Sequence, residues 1–224
     1  QKISEVQLII LDRYARQGVL PMIYFDNIAK YVRDGGAVLI AAGPDYASPT
    51  SIWRTPLDVI LPAEPSGDVT EQAFHARLTE LGRKHPVTRA LEGSDTDPPH
   101  WSHWFRLVNI KRTTGTNVMQ GPDGKPLLVL GREGEGRVAL LLSDHIWLWA
   151  RGYEGGGPHL DLLRREAGRL GLDRDLGWRE LREHIVARGR QHARAVGEEH
   201  DGQGDDDAPE PDGEFNMALS MTAR

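Results

Sequence analysis

Ser143, Asp144 and His145 stand together directly after Arg137–Leu142 (RVALLL), the strongest strand signal in the chain. Carboxyl ends of strands are where α/β folds place their ligands, so a hydroxyl, a carboxylate and an imidazole there raise the prospect of a nucleophile with its base. Side chains of near-adjacent residues rarely meet in the geometry such a dyad requires. The preferred reading is therefore a helix start, with Ser143 or Asp144 capping the first turn and His145 half buried beside Trp147. Ser143 and His145 remain the weak catalytic candidates. If the domain binds something polar, this corner is the first place to look, at Asp144 and His145.

Three further groups carry chemistry-bearing residues. His100, Trp101, His103 and Trp104 cluster after Asp97-Pro98-Pro99. Histidines three apart can share a metal if a carboxylate joins them, and exposed tryptophans can stack on a sugar or a partner. Core closure, with each indole N–H on a backbone carbonyl, is the preferred reading for Trp101 and Trp104, and equally for Trp147 and Trp149. Arg151–His159 (RGYEGGGPH) is a glycine-rich loop ahead of a helix, where amides could cradle an anion beside Arg151. It lacks the lysine and hydroxyl of a phosphate loop, and tight packing explains its glycines as well. No metal or cofactor is expected.

The chain contains no cysteine, so it has neither a thiolate nucleophile nor disulfides. Its net charge of -6 disfavours a general nucleic-acid binder, which needs a basic face. At 224 residues, with 39% hydrophobic and 27% charged residues, it is long enough for one α/β domain and a tail. No apolar run approaches membrane-spanning length. A chain that opens at Gln1, with a strand almost at once, reads as a piece of a longer protein.

The elements that position these residues follow from periodicity. Val6–Leu11 (VQLIIL) and Ala37–Ala42 (AVLIAA) are short continuous apolar runs, as in strands buried on both faces. Between them a helix is predicted from about Tyr24 to Arg33, burying Tyr24, Ile28, Tyr31 and Val32 and stopped by Gly35-Gly36. This strand–helix–strand unit implies a parallel layer. Thr55-Pro56 sets a helix start, and the stretch from Pro62 to Thr88 reads as looser. Phe105–Ile110, Asn117–Met119, Leu127–Leu130 and Arg137–Leu142 are predicted strands joined by turns at Pro122–Gly124 and Gly134–Gly136. Short helices follow over Ile146–Ala150 and from Leu160. Large apolar residues then thin out; one modest helix about Trp178–Arg188 is expected, then an acidic tail too polar to order.

Several stretches together resemble the class I glutamine amidotransferase-like domain of a group of uncharacterised bacterial membrane proteins. They are Asp26–Pro44 (DNIAKYVRDGGAVLIAAGP), Arg54–Leu57 (RTPL), His85–Leu91 (HPVTRAL) and Gly136–Arg165 (GRVALLLSDHIWLWARGYEGGGPHLDLLRR). The resemblance implies an α/β, flavodoxin-like sandwich with a mostly parallel sheet, a hairpin-rich C-terminal half and a disordered acidic tail. It implies an amidotransferase-like domain over 1–165, and composition adds a polar, partly helical extension of atypical sequence over 166–197 and the acidic tail over 198–224. It also implies a parent that is membrane-anchored, with the side of the membrane open and an unknown protein partner. In catalytic relatives the nucleophile sits on a sharp turn after a buried strand, here Gly43-Pro44-Asp45. Proline there has no amide hydrogen, so an oxyanion donor is missing as well as the thiolate. The resemblance therefore implies a catalytically silent binding or assembly module. The alternatives are a hydrolase or amidotransferase using Ser143 and His145, or an aromatic-lined carbohydrate-binding module on Trp101, Trp104, Trp147 and Trp149. Beyond Arg165 the family pattern leads to an apolar, tryptophan-bearing helix, whereas this chain continues EAGRLGLDRDLGWRELREH. That change suggests a shifted reading frame or an unusual natural terminus.

Overall fold

The computed structural model describes residue 6, residues 8–16 and 20–169, and the strand Met217–Ser220. The helix expected about Trp178–Arg188 and almost all of the 166–197 and 198–224 segments lie outside these residues. The fold is α/β. Strand β1 (Leu8–Asp12), helix α1 (Met22–Arg33) and strand β2 (Ala37–Ala41) form the expected strand–helix–strand unit. All five residues of β1 are buried, as a continuous apolar run at the centre of a sheet requires.

Helix α1 turns Phe25, Ile28, Ala29 and Val32 inward and leaves Tyr24 half exposed. Ile28 and Val32 are buried as expected and Tyr31 packs partly buried on the core, but Phe25 and not Tyr24 supplies the buried aromatic of the first turn, since Phe25 lies three and seven residues before Ile28 and Val32 on one face. Its end is a Schellman arrangement: Gly35 N–H donates to Val32 O, Gly36 N–H donates to Tyr31 O, and Gly35 has φ +111. Glycine is needed there because an L side chain rarely adopts that conformation.

Strands β3 (Ala63–Phe74), β4 (Arg77–Leu78), β5 (Trp104–Thr113), β6 (Thr116–Gln120), β7 (Pro126–Glu133) and β8 (Gly136–Leu141) follow, with the short helix α2 (Glu80–Lys84) after β4. The main sheet has the order β4-β6-β7-β8-β2-β1, extended on the β1 side by β9 (Met217–Ser220). It is parallel only across β1, β2 and β8. The pairs β7–β8, β6–β7, β4–β6 and β1–β9 are antiparallel. The expectation of a mostly parallel sheet is corrected accordingly. The predicted hairpin turns account for this, since a tight turn can only return the chain antiparallel. β9 also departs from the expectation of a wholly disordered tail: its backbone pairs with the otherwise open edge of β1.

β3 and β5 form a separate antiparallel ribbon with several register shifts. β3 lies in the stretch expected to be loose, because it carries no apolar alternation; only its ends, Ala63 and Phe74, are buried. Two more helices close the described body, α3 (Ile146–Ala150) and α4 (His159–Arg169). α4 runs past Arg165: Glu166 is buried, its Oε2 lies 3.0 Å from Arg169 Nε, and Arg169 Nη2 donates to Val138 O at 2.9 Å. Among the described residues no helix is long and apolar enough to cross a membrane.

Candidate functional site

The carboxyl ends of β1, β2 and β8 lie side by side, so the residues that follow each strand share one corner. Arg13 follows β1, Gly43 and Pro44 come after β2, and Ser143, Asp144 and His145 come after β8. The backbone knits these ends together: Arg13 N–H donates to Ala41 O and Ala42 N–H to Leu141 O, both at 2.8 Å. β5 joins the corner because Val108 N–H donates to Leu142 O at 2.8 Å, which delivers Phe105 and Arg106.

Asp144 is the centre of the corner, its side chain only 4% exposed. Its Oδ2 lies 3.4 Å from Arg13 Nε and 3.4 Å from Arg106 Nη1, and its Oδ1 lies 3.8 Å from His145 Nε2. Arg106 also reaches outward, with Nε 3.4 Å from Glu71 Oε1. Among the described residues Arg13 Nε, Arg106 Nε and Asp144 Oδ1 are buried without a hydrogen-bond partner, and Arg106 Nη1 donates to Asp144 Oδ2 only at a long 3.4 Å, so charge rather than short hydrogen bonds holds the cluster. Arg13 itself sits at φ +47, a conformation that costs a non-glycine residue about 1–3 kcal/mol and persists only where the surroundings enforce it. Its stem crosses Gly43, where an added Cβ would come 3.0 Å from Arg13 Cγ.

Ser143 is fully buried and committed on both sides. Its hydroxyl donates to Arg106 O at 2.7 Å and accepts the His145 N–H at 3.2 Å. His145 Nδ1 in turn accepts the Phe105 N–H at 3.0 Å, which fixes the ring and places any neutral-ring proton on Nε2. The Ser143 hydroxyl and the His145 ring are thus bound to different backbone groups and form no dyad. The turn after β2 is likewise no strained elbow. Gly43 is near-extended at φ −95, ψ −169, and Pro44–Ala47 begins a 3-10 turn whose Tyr46 is buried and donates to Ala63 O at 2.6 Å. Burial pushes the Tyr46 phenol far above its ordinary range.

An aromatic row borders the ion cluster. Phe105 makes edge contacts with Tyr153 (centroids 5.9 Å) and His145 (6.3 Å), and His145 does so with Trp147 (6.3 Å). Phe105 and Tyr153 are both exposed. Beside Tyr153, the Glu154 carboxyl is held below its ordinary range by hydrogen bonds from His103. Partial burial pushes the Tyr153 phenol up, reinforced by the Glu154 charge.

Trp101 and Trp104 are core residues, the preferred reading of the sequence, and the weaker expectation that they contact a ligand is corrected. They are 2% and 0% exposed and pack on Trp149, with centroids 5.3 and 4.7 Å away. Trp101 Nε1 donates to Glu92 O at 2.7 Å, as a buried indole requires. Of the four tryptophans proposed for a sugar platform, only Trp147 lies at the rim. Arg151 is exposed at the end of α3. Only the Gly156–Pro158 end of the glycine-rich loop packs on the core, where a Cβ on Gly157 would come within 2.4 Å of the Trp149 ring; residues 151–155 are exposed, and Gly152, Gly155 and Gly156 have positive φ. His100 is exposed, whereas His103 meets Glu154 and His75. Arg13, Arg106, Phe105 and Tyr153 were not singled out from sequence. Arg13 had a signal, being the first residue after a buried strand; the place of Arg106 depends on the β5–β8 contact, which no local pattern encodes.

No family model and no curated protein matches the chain. Among solved structures it is similar to the cytoplasmic protein STM3548 from Salmonella typhimurium, with a TM-score of 0.60 and 18% identity over 75% of this chain and 72% of that one. It is also similar to part of the β-galactosidase from Bacillus circulans sp. alkalophilus, with a TM-score of 0.50 and 10% identity. That match covers 76% of this chain but only 23% of the β-galactosidase. At such identities the likeness is one of fold.

Proposed function

We propose that the chain is a catalytically silent, amidotransferase-like α/β module that acts by binding, its contact surface being the corner at the carboxyl ends of β1, β2 and β8. The observation that carries this reading is the commitment of every catalytic candidate there to a structural partner. Ser143 is buried between Arg106 O and the His145 N–H, and His145 Nδ1 is taken by the Phe105 N–H. Asp144 is shared by two guanidiniums. The chain has no cysteine, and among the described residues of the corner no hydroxyl is hydrogen-bonded to an imidazole ring. What the corner does offer is an exposed aromatic edge, Phe105 and Tyr153, next to a rigid polar cluster, a composition suited to docking. The flavodoxin-like layout and a membrane-anchored parent belong to the same reading and rest on the sequence resemblance.

The test is ammonia release from glutamine by the purified chain, beside a Ser143→Ala/His145→Gln double variant whose fold is checked by circular dichroism. The expected result is no release above the variant. Release that disappears in a folded variant would overturn the reading and make this a hydrolase with a serine nucleophile.

A further inference from the structure

The ribbon register that pairs Phe74 with Trp104 brings together the residues beside them, His75 after β3 and His103 before β5. Their ring centroids are 3.9 Å apart, with planes inclined by 42°. Each ring is held through Nδ1. His75 Nδ1 lies 2.6 Å from the Trp101 carbonyl oxygen, and His103 Nδ1 lies 2.8 Å from Glu154 Oε2. A carbonyl or carboxylate oxygen only accepts, so both Nδ1 atoms carry hydrogen. In the neutral rings this leaves a lone pair on each Nε2, and neither Nε2 hydrogen-bonds to any described residue.

An imidazole whose Nδ1–H is fixed by a carboxylate or a backbone carbonyl, with Nε2 open, has the outer-shell support of a metal ligand. Both supports occur here, one on each ring. We propose that His75 and His103 form a two-imidazole site for a divalent transition-metal ion of the Zn2+, Ni2+ and Cu2+ group, bound through the two Nε2 atoms. Metal–nitrogen bonds of about 2.0–2.1 Å put the centroids of two rings on one ion about 4.5–5 Å apart, so these rings must part by about 1 Å from their 3.9 Å contact, as well as tilt, to share it. Glu154 and the Trp101 carbonyl act as positioning groups, raising ligand basicity and fixing the tautomer. Among the described residues no cluster of three or more His, Cys, Asp or Glu side chains is suited to a metal ion, so water completes the shell. Such an open site suits reversible occupancy rather than a permanent structural ion. Cu2+ binds most tightly by the general order of affinities. Occupancy ties β3, β5 and the Glu154 loop together beside the aromatic row.

The experiment is calorimetric titration of the full chain with Cu2+ and with Zn2+ near neutral pH, paired with electron paramagnetic resonance of the Cu2+ form. The expected result is one site whose spectrum carries hyperfine coupling from two imidazole nitrogens. His103→Ala and His75→Asn should each weaken it at least about tenfold, and Glu154→Gln about tenfold, the usual effect of losing an outer-shell partner. His75→Asn keeps a donor for the Trp101 carbonyl, so a folded protein without Nε2 can be compared. His100→Ala should change nothing, which separates this site from adventitious binding by other histidines. The proposal is overturned if folded His75→Asn binds as the parent does, or if His100→Ala loses as much as His103→Ala.

Discussion

Asp144→Asn tests what the buried carboxylate does, because the amide keeps its shape while removing the charge and turning one acceptor oxygen into an N–H donor. Asp144 Oδ2 faces Arg13 and Arg106 at 3.4 Å each, and the carboxylate is 4% exposed. At an effective dielectric constant of about 20, each such pair is worth about 5 kcal/mol of Coulomb attraction, set against a desolvation cost of several kcal/mol for the carboxylate. Removing one partner of a fully buried pair costs about 3–5 kcal/mol. Here the two arginine side chains are 32% and 27% exposed and regain hydration, which lowers the expected cost to about 2–3 kcal/mol. In a chain of this size about 1 kcal/mol moves Tm by about 2–4 °C, so Tm should fall by about 4–12 °C, with the urea midpoint lowered at an unchanged m-value. Arg106→Ala made in the Asp144→Asn background should cost less than in the parent, with a coupling of about 0.5–3 kcal/mol. A loss under about 1 kcal/mol, or additive effects of the two substitutions, would refute the reasoning and make the corner a solvated cluster that contributes nothing to the fold.

Two further outcomes follow from groups away from the corner. Trp101→Phe loses the bond to Glu92 O, whereas Trp104→Phe removes a buried indole N–H that has no partner among the described residues. Urea unfolding should therefore show Trp101→Phe the costlier change by about 1 kcal/mol; the reverse order would mean that Trp104 has a hidden acceptor. Burial, helped by the charge of Arg169, lowers the His85 pKa below 6.5, and His85 Nδ1 accepts the Val87 N–H. Between the two His85 pKa values the unfolded chain binds more protons, so this contribution is complete above pH 6.5 and is lost as pH falls through that window. Glu166 has the opposite slope, since burial raises its pKa and stability falls as pH rises above 4.5. His85→Asn should flatten the first window alone, and a parallel loss in the variant would assign it elsewhere.

The sequence by itself determined the elements whose signal is local. The apolar runs that became β1, β2 and β8 read as strands because each is short and continuous, and the sheet interior buries all five residues of β1 and four in a row of β2 and of β8. Gly35 at positive φ had to end α1, and Pro122–Gly124 and Gly134–Gly136 had to turn the chain. The missing cysteine, too, is a property of sequence alone. Tertiary structure decided the rest, because it depends on contacts between distant residues. β3 has no local signal since an exposed ribbon leaves no apolar period, and Phe25 takes the buried place expected for Tyr24 because it shares a face with Ile28, Ala29 and Val32. Trp101 and Trp104 looked as available for a ligand as Trp147 until packing on Trp149 removed them from solvent. Ser143 and His145 were recognisable as neighbours of a strand end, but only β5, arriving from nearly forty residues earlier in the chain (|i−j| = 37 to the Arg106 carbonyl), supplies the partners that hold them apart. The same long-range pairing sets His75 on His103: short-range chemistry is written in the order of residues, whereas a site is written in which strand lies beside which.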